Sequence, residues 1–275
     1  MHTREVTGWR RSPTANRAFK TALRPPRPAA AATGILIDQV TELELLDRHA
    51  AVLFDMDPAG RLVGVNEPGG ERPPRMFLAR GHTTHRIWFR ADVPEALSDA
   101  CRDAAYALPS WDGEPTDPQL FEPFRTIFDA DQAGDPPSIG PAYRFAASRA
   151  LRDGPGAAST SLIDERSAHL LERFFPYTRE VLAARHPVAA VVMDGWAVSA
   201  CFSARRRPVA CEAGVATAEP YQGRGLAGLV VSCWREALEQ AGTEPLYSTS
   251  WDNSASRALA RKLGLIMYAE TFALG

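Results

Sequence analysis

Residues 221–228 read YQGRGLAG and run into a stretch where Leu226, Leu229, Val230, Cys233, Trp234, Ala237, Leu238 and Ala241 recur at steps of three and four. That spacing predicts a long helix with one apolar face. Glycines before such a helix let backbone N–H groups close on a ligand at its N-terminus, where the partial positive charge favours phosphate. Two phosphate-cradling patterns fit the loop. Gly223, Gly225 and Gly228 make the G-x-G-x-x-G of a dinucleotide fold. Gln222, Gly225 and Ala227 make a different one, Q/R-x-x-G-x-G/A.

The surrounding elements separate the two. A dinucleotide fold places its glycines after the first strand of a parallel sheet, with an acid about 20 residues on and further strand–helix units behind it. Asp252 stands at roughly the right distance, but too little chain follows it to complete such a sheet. Ahead of the loop lie three strand patterns, VAAVVMD, WAVSACFSARR and VACEAGVATA. The first two are joined by Asp194-Gly195, a tight hairpin signal, so the sheet begins antiparallel. After the long helix come strand PLYSTSW, helix NSASRALARKLG and strand LIMYAETFAL.

From residue 158 onward the order is an extended stretch, two short helices broken at Pro176, three strands, glycine loop and helix, strand, helix, strand. This order, with Q-x-x-G-x-A in its loop, resembles the GNAT superfamily of N-acetyltransferases. A second match strengthens the resemblance: WDNSASRALARKLGL is similar to the family's N-x-x-S-x-x-L-Y-x-x-x-G-F segment, with Asn253, Ser256, Leu259, Gly264 and Leu265 in register. The resemblance implies acetyl-CoA as acyl donor and direct transfer of its acetyl group to an amine. It also implies that Gln222, Gly223, Arg224, Gly225, Leu226 and Ala227 hold the pyrophosphate, and that Asn253 and Ser256 line the pantetheine side. The backbone of Val215, Ala216 and Thr217 is implied to meet the pantetheine and the acyl oxygen. Asn253 also reads simply as a helix cap.

Acetyl transfer needs a base for the amine and an acid for the departing thiolate. Glu212, on the strand before the loop, is the candidate base, although a one-residue slip would turn it to the other face; Glu219 is the alternative. Where many family members carry a Tyr for the thiolate, this chain has Ala260. Tyr247, Tyr268 or a water then compete for that role, or the chain is a non-catalytic acyl-CoA-binding or regulatory module. The STSWDN segment, joined to a long amino-terminal region, is similar to a bacterial subgroup that includes an aminopolyol-antibiotic acetyltransferase. That favours a small amine-bearing metabolite or antibiotic as acceptor.

Upstream, residues 1–34 carry seven basic residues against the single acid Glu5 and end in PPRPAAAATG, which predicts a disordered basic tail. Residues 35–135 alternate helix and strand patterns, so an amino-terminal α+β domain is expected there. Residues 136–275 form the expected acetyl-CoA-binding catalytic domain, a mixed sheet flanked by helices, and the fold class is α/β of the α+β kind. A net charge of -2 offers no global attraction to nucleic acid or an anionic membrane. The four cysteines have neither zinc nor redox spacing and read as free thiols of a cytoplasmic protein. His82 and His85 form H-x-x-H in a hairpin context without a third ligand, so no metal site is expected. The sequence does not address oligomeric state.

Overall fold

The computed structural model describes residues 40–128, 137–146 and 159–275; the expected tail at 1–34 lies outside them. Helix α1 (Glu42–Leu53) starts at Thr41, whose hydroxyl accepts from Glu44 N (3.2 Å) while the Glu44 carboxylate accepts from Thr41 N (2.8 Å), a reciprocal capping box. It buries Leu45, Leu46, His49, Ala50, Val52 and Leu53. The small hairpin β1 (Phe54–Met56) and β2 (Leu62–Val65) follows, its turn tied by Asp57 Oδ1 accepting from the N–H groups of Ala59 and Arg61. Next come β3 (Met76–Arg80), β4 (His85–Phe89), α2 (Glu95–Tyr106), α3 (Glu122–Ile127) and β5 (Ser138–Arg144). The remainder is β6 (Thr160–Ile163), α4 (Pro176–Glu180), β7 (Val188–Met193), β8 (Trp196–Arg206), β9 (Ala210–Thr217), α5 (Leu226–Gln240), β10 (Glu244–Ser248), α6 (Ser254–Leu263) and β11 (Ile266–Leu274).

Nine strands form one sheet in the order β4-β3-β11-β5-β10-β9-β8-β7-β6, and within it only β9 and β10 run parallel. Strands from before and after residue 135 therefore share one sheet. The β7–β8 hairpin turns at Asp194 and Gly195, both at positive φ, as the sequence predicts. No sequence pattern predicts β5. It lies between β10 and β11, close enough to the 248–251 loop that a Cβ on Gly140 would stand 1.8 Å from Thr249 O. The two helices expected at 165–186 are shorter: 3₁₀ turns at Ala168–Leu171 and Leu182–Arg185 flank α4, and Pro176 opens that helix at its first turn rather than breaking one.

The sheet is covered on both faces. α5 packs Leu226, Val230, Trp234 and Leu238 against Ala189, Val191, Cys211 and Ala213, with Tyr143, Tyr247 and Ala260 in the same cluster. On the opposite face α1 packs Leu45, Leu46 and Ala50 against Ala210, Leu246 and Tyr268, and the 3₁₀ turns with α4 cover β7 and β8. His82 stacks on Trp111 and His85 meets Tyr106 edge-on. No helix among the described residues is long and apolar enough to cross a membrane.

Candidate active site

β9 and β10 pair over three residues only, Ala210–Glu212 against Glu244–Leu246. Beyond that point β10 follows β5 and β9 stays with β8 as far as Thr217, so the two parallel strands part and residues 213–217 keep one edge without a strand partner among the described residues. Which backbone groups face that edge follows from strand alternation. Ala218 N donates to Val198 O on β8 (2.8 Å), which turns the N–H of Ala216 to β8 as well and leaves those of Val215 and Thr217 on the open edge. The Thr217 carbonyl, on that open side, accepts from Gln222 Nε2 at 3.1 Å. Of the three residues implicated from sequence, Ala216 thus directs its N–H away from the opening.

At the end of this edge the loop turns into α5. Gly223 (φ 74) and Gly225 (φ 78) take the left-handed conformation that disfavours a side chain, and Gly225 is the α5 N-cap, with no side chain to bond the first N–H groups. Leu226 is buried in the core, so only its backbone and that of Ala227 reach the helix entrance. Arg224 donates to Pro220 O (2.9 Å) with its guanidinium 5.1 Å from the Tyr221 ring centre, folded back on the loop. A second cation, one that no sequence pattern singles out, stands beside the loop: Lys262 of α6, whose Nζ lies 3.2 Å from where a Cβ on Gly225 would be.

Asn253 caps α6, its Oδ1 accepting from Ser256 N at 3.0 Å. Ser256 Oγ meets Tyr247 OH at 2.6 Å. Burial raises the Tyr247 pKa, partly offset by this hydrogen bond. Tyr247 therefore stands on the α5 and α6 face, in one cluster with Ala260. Tyr268 stands on the other face among the α1 side chains, its buried hydroxyl without a hydrogen-bond partner among the described residues and its pKa raised by burial. The two tyrosines cannot both attend one thiolate.

Glu212 occupies the last paired position before the strands part. Its neighbours Cys211 and Ala213 face α5, so Glu212 faces α1, on the side also covered by α4. Ser248 Oγ donates to Glu212 Oε1 at 2.6 Å, while Oε2 is buried without a partner among the described residues. Desolvation raises the carboxyl pKa to about 7 against the lowering effects of Ser248 and Arg205. His49 Nε2 lies 3.8 Å from Oε2, but burial and then Arg205 depress the imidazole to about 3. His49 is accordingly neutral near pH 7, and this approach is no ion pair. Glu219, the alternative acid, is exposed.

Among curated proteins none matches this sequence. Among solved structures, a GNAT-family structure from Novosphingobium aromaticivorans is 16% identical with a TM-score of 0.42, over 51% of this chain and 65% of that one. A GCN5-related N-acetyltransferase-like protein from Streptococcus suis is 16% identical with a TM-score of 0.48, over 84% of this chain and 99% of that one. A structure from Salmonella typhimurium, solved with its cofactor acetyl-CoA, is 14% identical with a TM-score of 0.33, over 43% of this chain and 92% of that one. Residues 188–273, which hold the parting strands, the glycine loop, α5, α6 and Glu212, match the model of the GNAT acetyltransferase family.

Proposed function

We propose that the chain transfers the acetyl group of acetyl-CoA directly to the amine of a small molecule, with Glu212 as the base. The observation that carries this reading is the vertex where β9 and β10 part. A buried carboxylate, one oxygen held by Ser248 and the other unpartnered among the described residues, stands where the open edge of β9 begins. A carboxyl titrating near 7 is matched to taking a proton at neutral pH.

The donor's shape fits the residues present: a loop with two left-handed glycines, an uncapped helix start and Lys262 for the pyrophosphate, then an open strand edge for the extended arm. When bound, acetyl-CoA supplies an acyl group activated as a thioester. The N–H groups of Val215 and Thr217 are aimed to bind the arm and to stabilise negative charge on the acyl oxygen. Glu212 accepts the ammonium proton, freeing the nitrogen lone pair for attack. The Tyr247 hydroxyl, oriented by Ser256, returns a proton to the departing sulfur.

The acceptor is a small amine-bearing metabolite or antibiotic, held against α4 and its flanking turns. α1, which lies over Glu212, brings the region before residue 136 to the same side, so we also propose that this region forms part of the acceptor wall. A cytoplasmic setting fits the four free cysteines. A second reading, an acyl-CoA-binding module without turnover, rests on Ala260, which is fully buried where the family's acid would stand.

Calorimetric titration with acetyl-CoA, CoA and NADH tests the donor, using wild type beside Gly225→Glu. Acetyl-CoA binding that the variant loses is expected, followed by thiol release with at least one member of a primary-amine panel. Binding without release across the panel would favour the second reading, and binding of NADH alone would overturn both.

A further inference from the structure

Beneath the vertex, three buried groups carry polar atoms with no partner among the described residues: both ring nitrogens of His49, Oε2 of Glu212 and Nε of Arg205. Buried polar atoms are rarely left so, and an internal water with two to four bonds is the usual partner of such a group. His49 comes from α1, outside the segment that matches the acetyltransferase family. Helix α1 sets it at the unpartnered carboxylate oxygen, 3.8 Å away, too far for a direct hydrogen bond but within the span that one water bridges.

We propose that His49 is a positioning residue that holds one internal water against Glu212 Oε2, and that this water carries the proton from the acceptor amine to the carboxylate. The proposal rests on Glu212 being the base. The ammonium gives a proton to the water as the water gives one to Oε2. The net result is a protonated Glu212, an amine with a free lone pair, an unchanged water and an imidazole that has kept its charge state. A neutral imidazole is required, because a charged one would hold Glu212 ionised and weaken it as a base. The other groups facing Glu212 agree with this. Arg205 of β8 is engaged by Glu67 at 3.4 Å, Ser248 of β10 bonds the other oxygen, and Tyr268 of β11 is held toward its neutral form by burial.

The test follows the Glu212 carboxyl itself by carbon-13 NMR in full-length protein labelled at glutamate, with the signal assigned by its loss in Glu212→Gln. Wild type is expected to titrate near 7. His49→Leu, which fills the space without a polar atom, should raise the midpoint by about one unit, and His49→Ala, which admits more water, should lower it by about one unit. His49→Gln, able to hold the water without charge, should stay within a few tenths. Acetyl-CoA affinity, set at the far end of β9, should change less than about twofold in all three and serves as the folding control. A midpoint unmoved in both the Leu and Ala variants, or a wild-type midpoint near the ordinary carboxylate value, overturns the assignment. Wild-type transfer by Glu212→Gln would instead overturn Glu212 as the base and, with it, the relay, whereas the titrations judge His49 as the holder of the water.

Discussion

Ser248 Oγ donates to Glu212 Oε1 at 2.6 Å, a hydrogen bond between β10 and β9 just where their pairing stops. It acts as a strut that keeps the carboxylate at the vertex after the backbone ladder has ended. Ser248→Ala removes a side-chain hydrogen bond that favours the ionised form of this buried carboxylate. The expected result is a Glu212 midpoint above the wild-type value and a transfer rate at pH 7 that falls but recovers partly at higher pH. A stability loss of about 1–3 kcal/mol should accompany it. A pH–rate profile and urea unfolding of the variant check both.

The opposed shifts of Glu212 and His49 give stability a pH signature. Glu212, raised from 4.5 to about 7 in the folded protein, makes folding less favourable as pH rises between those values. His49, depressed from 6.5 to about 3, makes folding less favourable as pH falls between those values. From about 4.5 to 6.5 the two slopes cancel. Glu212→Gln should therefore expose a rise in stability with pH from about 3 to 6.5, and His49→Leu a fall from about 4.5 upward, each near 1.4 kcal/mol per pH unit. Urea unfolding at half-unit intervals reads the slopes, and parallel curves for all three proteins would refute them.

Lys262 and Arg224 differ in what they can offer a pyrophosphate. Lys262 Nζ stands 3.2 Å from where a Cβ on Gly225 would be, whereas Arg224 is already bonded to Pro220 O. Lys262→Ala is expected to weaken acetyl-CoA binding about tenfold, as loss of one charge-assisted contact would, and Arg224→Ala by about threefold or less. Calorimetry separates the two, and added salt should narrow the difference.

Tyr247→Phe should lower kcat by about tenfold or more without changing acetyl-CoA affinity, because Ser256 then has no hydroxyl to orient. Tyr268→Phe deletes a buried hydroxyl on the far face that has no hydrogen-bond partner among the described residues, and should leave turnover within about twofold while holding or raising stability. Equal losses in both would show that neither acts as the acid.

What the sequence disclosed was what short spacing controls. The apolar face of α5, the Asp194-Gly195 turn, the cap at Asn253 and the glycine loop depend on neighbours within a few residues, and each stands where the pattern places it. β5 was hidden because Gly140-Pro141 reads as punctuation, while its partners β10 and β11 lie far along the chain. Lys262 and His49 escaped for the same reason: nothing local marks a side chain whose importance lies in which distant backbone or carboxylate it meets. The direction of the Ala216 N–H needed the β8 register, which the sequence does not state.

The placement of β11 between β3 and β5 bears on how the chain is made. Both flanking strands leave the ribosome long before residues 266–274 exist. Until then the β4-β3 ribbon has no neighbour on its inner edge, and β5 can meet β10 but stays open on the other side. The two parts of the sheet are joined by the strand synthesised after both, like a keystone set between piers already standing. A nascent chain stalled before this strand would expose two unpaired edges and be prone to wrong pairing, so the strand lying farthest in sequence from α1 is the one that locks the α1 side of the fold into place.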